Sequence, residues 1–142
     1  MNLVKSIPRS PKKKMEGLVM LPRMFDKAMA YNSNTLGEYI FPCPLDRIVL
    51  KFLNTTHEEF ANKAQKLTKK KFSLWVKEKC IDRSMADKNQ INNKILGQKP
   101  DSQQSLDRFN ETLNNINPFV KNITTWIDLI ELEENNILSK NL

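Results

Sequence analysis

Leu45, Ile48, Val49, Phe52 and Leu53 recur at i, i+3, i+4, i+7 and i+8. That spacing lines one face of a helix and cannot line one face of a strand, so this segment is predicted to be a core helix. Pro44 stands just ahead of the pattern, where a missing backbone N–H costs nothing. The same period governs the rest of the chain. Pro22 opens a helix expected to reach about Tyr31, where Asn32-Ser33-Asn34 stops it. Thr56 and Glu59 have the spacing of a capping box ahead of Phe60, Ala64 and Leu67. Phe72, Trp75, Val76 and Cys80 share one face of a fourth helix.

Ser84 to Leu96 reads as a weaker fifth helix, ended by Gly97 with Pro100 beyond. Asp101-Ser102 caps a sixth carrying Leu106, Phe109, Leu113 and Ile116. Thr124 or Thr125 opens a last helix around Trp126, Ile127, Leu129 and Ile130, and Asn135-Asn136 is expected to fray it. No alternation of period two is long enough for a sheet. The fold class is therefore all-α: a single compact bundle of about six to seven short helices over residues 16–142.

Residues 1–15 hold five Lys or Arg, no acid, and Pro8 and Pro11. Repelling charges and missing donors predict an extended, flexible basic N-terminal arm. The whole chain of 142 residues has a formal charge of +7, but unevenly. Residues 1–100 carry 20 Lys and Arg against 9 Asp and Glu, whereas residues 101–142 carry 3 against 7. The molecule is charge-polarised more than uniformly basic. Cys43 and Cys80 have no zinc-ligand spacing and suit a reducing cytoplasm, so no metal and no cofactor is expected. The apolar run Gly17–Leu21 ends at Pro22-Arg23, too short for a signal-peptide core or a membrane span. A soluble cytoplasmic protein is expected, with its oligomeric state open.

Three groups of residues could carry function. Arg23, Asp26 and Lys27 fall at i, i+3 and i+4 on the first helix. With Glu38 and Tyr39 of the following Leu36-Gly37-Glu38-Tyr39 loop they form either a salt-bridge network or a small-anion site at a helix N-terminus. Cys43, between two prolines and just before a helix, is the best nucleophile or redox candidate, because a helix N-terminus lowers thiol pKa values. Its weakness is the lack of a base: His57 is the single histidine. Lys63, Lys66, Lys69, Lys70, Lys71, Lys77 and Lys79 cluster around Phe72 and Trp75. Lys66, Lys69, Lys70 and Lys71 are the candidates for polyanion contact, although both aromatics fit the core periodicity. The triple lysine is expected at the C-terminal end of the third helix, where cations suit the dipole.

The ordered series GLVMLPRMFDKAMA, LGEYIFPCPLD, a Trp-Val helix end and ITTWIDLIELEE resembles the bacterial DUF5069 family of uncharacterised proteins. The resemblance covers the chain past residue 8. It implies a mostly helical domain and implies no activity. The expectation is a non-catalytic binding or regulatory module, with a small anionic ligand or a protein partner at the first helix and the GEY loop. The alternatives are an enzyme using Cys43 and a nucleic-acid binder using the lysine face, the latter not favoured.

Overall fold

The computed structural model describes residues 1–140. Among these the chain is mostly helical, with seven helices and one minimal hairpin. The hairpin pairs β1 (Lys14–Met15) with β2 (Leu18–Val19) through a two-residue turn. Both turn residues, Glu16 and Gly17, have positive φ (52° and 79°), the geometry whose twist matches an antiparallel ribbon. Strands two residues long leave no alternation for a sequence pattern to register, so period analysis misses them. The helices are α1 (Leu21–Asn32), α2 (Pro44–Phe52), α3 (His57–Lys66), α4 (Lys69–Lys79), α5 (Met85–Leu96), α6 (Gln103–Ile116) and α7 (Trp126–Lys140).

The chain forms two compact units, Met1–Asn92 and a second beginning at Asn93. In the first, α1 packs on α3, and α3 on α4. Its centre is aromatic: Phe60 meets Phe72 edge-on at 5.3 Å between ring centroids, and Phe25 meets Phe72 at 5.0 Å. Phe72, Trp75, Val76 and Cys80 are all buried, as their shared helix face predicts. In the second unit α6 packs on α7, and Phe109 stacks edge-on against Trp126 at 5.1 Å.

The helix starts follow local chemistry. Thr56 and Thr68 accept from the Glu59 and Lys71 N–H groups at the heads of α3 and α4. Ser84 and Asp87 cap reciprocally ahead of α5, as do Ser102 and Ser105 at α6, and Thr125 accepts from Asp128 at α7. Two expectations about helices need correction. The α7 helix runs on through Asn135-Asn136 to Lys140. The triple lysine is the first turn of α4 rather than the end of α3, because Thr68 supplies a cap.

The N-terminal residues also differ from the expectation of a free arm. Leu3 is buried and its N–H donates to the Thr35 carbonyl at 2.8 Å, while the Thr35 hydroxyl donates to the Met1 carbonyl at 2.7 Å. The Met20 N–H reaches the Pro11 carbonyl at 3.0 Å. Gly37 explains part of this packing: at φ +62°, a Cβ there would lie 3.1 Å from the Leu3 carbonyl oxygen. The backbone of the segment comes closest where the loop has no side chain. Charge repulsion in the sequence is outweighed by burial of Leu3, Pro8 and Pro11 and by the pairing of Arg9.

Behind the hairpin, Asn92 is buried and ties the turn to the end of β2. Its Oδ1 accepts from the Val19 N–H at 3.0 Å, and its Nδ2 donates to the Gly17 carbonyl at 2.8 Å. Lys88 Nζ donates to the Glu16 carbonyl at 2.8 Å, and the Ser73 hydroxyl to Glu16 Oε1 at 2.7 Å. A hairpin too small to stand alone is thus held by α4 and α5.

Candidate functional site

Helix α1 turns Arg23, Asp26 and Lys27 to one face, and all three are buried, at 4%, 7% and 3% exposure. Buried charges need partners, and the structure supplies a different one for each. Lys27 reaches across to the start of α2. Its Nζ lies 2.6 Å from Asp46 Oδ2, 3.1 Å from the Ile40 carbonyl oxygen and 3.5 Å from Cys43 Sγ. An ammonium has three protons to donate, so each has an acceptor.

Asp46 does double duty. Its Oδ2 also accepts from the Cys43 N–H at 2.9 Å, and the Asp46 N–H donates to Cys43 Sγ at 3.5 Å. Cys43 and Asp46 therefore form a capping box on α2, with a thiol where Ser or Thr is usual. Asp46 is fully buried, and its second oxygen, Oδ1, has no hydrogen-bond partner. Burial and then the Asp46 charge push the Cys43 thiol up, with Lys27 acting in the opposite sense. The helix N-terminus alone would do the reverse. Cys80 is also pushed up, chiefly by burial.

Asp26 faces the other way and is held by Arg9. The Arg9 backbone N–H and Nε donate to Asp26 Oδ2 at 2.9 and 3.1 Å, and Nη2 donates to Oδ1 at 3.1 Å. This fork-on-carboxylate geometry is specific to arginine. Arg23 Nη1 donates to the Arg9 carbonyl at 3.3 Å, and its guanidinium stands 5.5 Å from the centre of the Tyr39 ring. The structure thus brings Arg23, Asp26, Lys27, Tyr39 and Cys43 together with Arg9 and Asp46. Glu38 is exposed on the loop, and the carboxylate beside Lys27 is that of Asp46. His57 begins α3, 3.1 Å from Glu58 Oε1, with its ring edge-on to Tyr31 and Phe41. It lines an open depression of about 280 Å³ with Arg47, Leu50, Thr56 and Glu58.

The lysine candidates occupy another surface of the same unit. Lys66, Lys69, Lys70 and Lys71 are all exposed, as are Lys12, Lys13 and Lys14. The first turn of α4 carries three lysines and no acid. Arg9, Met15, Phe25, Lys69 and Phe72 line one depression of about 50 Å³, which places the N-terminal segment beside the head of α4.

A family model described as a domain of unknown function, DUF5069, matches residues 5–136. The chain belongs to this family. No curated protein matches it. In this DUF5069 domain the first two motifs are two halves of one buried cluster: Lys27 comes from GLVMLPRMFDKAMA, and Cys43 and Asp46 from LGEYIFPCPLD. Arg9 and Asp46 are the members that sequence reasoning did not assign to the cluster. The Cys43–Asp46 spacing of a capping box was available as a signal, whereas nothing local marks Arg9 as the partner of Asp26. Among the described residues, no group of three or more His, Cys, Asp or Glu could hold a metal ion, and no helix is long and apolar enough to cross a membrane.

Proposed function

We propose that this DUF5069 domain is a non-catalytic binding module whose partner is a polyphosphate backbone, as in a nucleic acid. The observation that carries the reading is the placement of charge at α4. Lys69, Lys70 and Lys71 sit at the positive end of a helix dipole with no acid among them. Cations there cost about 0.3–1 kcal/mol each at low salt. A bound anion reverses that sign, because the helix N–H groups and the lysines then act together. Exposed Lys13 and Lys14 immediately precede Met15, which lines one depression with Arg9 and Lys69.

Phe72 and Trp75 are buried, so the surface offers neither ring for base stacking. The reading is therefore of a sequence-tolerant contact to phosphates. Two rival readings have less support. A small-anion site at α1 would need Lys27, whose three protons already have acceptors. A Cys43 enzyme would need an activated thiol, and burial favours the protonated form.

The test is titration of a fluorescent oligonucleotide at rising salt. Affinity should fall with log–log slope of about 0.7–0.9 per phosphate neutralised. Lys69→Gln/Lys70→Gln/Lys71→Gln should abolish binding while the protein stays folded. Absence of binding at low salt, or unchanged affinity in the triple variant, would reject the reading.

A further inference from the structure

Three chemically complementary groups from distant parts of the sequence meet in the buried cluster. Helix α1 supplies the Lys27 amine, the residue preceding α2 supplies the Cys43 sulfur 3.5 Å away, and the first turn of α2 supplies the Asp46 carboxylate. Cys43 is half-buried, so a small oxidant can reach it. Asp46 Oδ1 is buried and without a partner. The capping role of Asp46 uses only Oδ2, which leaves Oδ1 able to take up a proton.

We propose that Cys43 and Lys27 form a reversible sulfur–nitrogen cross-link when the protein meets hydrogen peroxide. In the first step one peroxide oxidises the thiol by two electrons to a sulfenic acid and releases one water. In the second, the Lys27 ammonium passes a proton to the Asp46 carboxylate. The freed amine lone pair attacks the sulfenic sulfur, the N–S bond forms and the S–O bond breaks. The departing hydroxide takes a second proton from the nitrogen and leaves as water. The ammonium and the carboxylate lose their charges together, so the reaction strands no buried ion. A thiol reductant reopens the link by attack at sulfur.

The product ties α1 covalently to the head of α2, and so fixes the loop that carries Glu38 and Tyr39. Because burial keeps the thiol protonated, the first oxidation is slow at neutral pH and quickens as pH rises. This chemistry is independent of the basic surface at α4.

The test is mass spectrometry of the full chain after peroxide treatment, quenching and tryptic digestion. The expected product is the uncut peptide Met24–Arg47, which holds both Lys27 and Cys43, about 2 Da lighter than the same uncut peptide without the link, because two hydrogens are lost and no oxygen is kept. Trypsin should fail to cut after the modified Lys27, and dithiothreitol followed by fresh trypsin should release Met24–Lys27 and Ala28–Arg47. Cys80→Ser should leave the link intact, whereas Lys27→Arg, which keeps the charge beside Asp46, should lose it and drive Cys43 to the sulfinic acid. Oxygenated Cys43 with Lys27 unlinked in the unmutated protein, or a Cys43–Cys80 disulfide, would overturn the proposal.

Discussion

Lys27 Nζ lies 2.6 Å from Asp46 Oδ2, and both side chains are buried. This pair joins the middle of α1 to the first turn of α2, and two further acceptors for Lys27 come from the loop and the cap between them. Breaking such a pair by removing one partner leaves an uncompensated charge, which is far costlier than replacing both. Lys27→Met and Asp46→Asn should each destabilise the protein by about 3 kcal/mol, and the double variant by clearly less than the sum. Urea denaturation of the four proteins measures the coupling. Additive costs would show that the pair has no net interaction.

The head of α4 makes an opposite prediction for stability. Replacing Lys69, Lys70 and Lys71 by glutamine should stabilise the folded state by about 1–3 kcal/mol in low salt, since three unfavourable charge–dipole contacts are removed. The gain should shrink as salt screens it. Thermal melts at two ionic strengths suffice. Loss of polyanion binding together with a gain in stability separates a functional surface from a merely tolerated one.

Arg9 tests whether the N-terminal segment is part of the fold. Its side chain is 43% exposed, so the pair with Asp26 is partly screened. Arg9→Ala should cost about 1–2 kcal/mol, since Asp26 is left buried and loses its fork partner. Arg9→Lys should recover only part of that, because one ammonium cannot reproduce two parallel donors. A free arm would give no change in either variant.

Cys43 should make stability fall at alkaline pH. Its thiol is held above its ordinary value of 9.0, so the folded state binds the proton more tightly than the unfolded chain. The contribution is fully present below that ordinary value and is lost as pH rises through the folded one. Cys43→Ser keeps an oxygen to accept from Asp46 and does not titrate in this range. Its stability should therefore decline less between pH 8 and pH 10 than that of the unmutated protein, by chemical denaturation at each pH. Some slope should remain, because Cys80 is also shifted upward and is still present.

The helices were legible because each is a local object. The apolar faces of α2 and α4, Pro22 and Pro44 at helix starts, and caps such as Thr56 and Ser102 all act within a few residues. The triple lysine was misplaced for the same reason: its charge suits a helix C-terminus, but Thr68 one residue earlier begins a new helix.

What the sequence determined by itself, then, was helix number, the buried face of most helices, the family, and the fact that Arg23, Asp26 and Lys27 share a side of α1. Only the tertiary structure decided their partners. Arg9 reaches Asp26 across 17 residues, and Asp46 reaches Lys27 across 19. Opposite charges attract without regard to sequence spacing, so the choice among many candidates falls to whichever carboxylate the packed helices bring within hydrogen-bond reach. The folding of residues 1–15 onto Gly37 and α1 was decided in the same way, by a close approach that no local rule encodes.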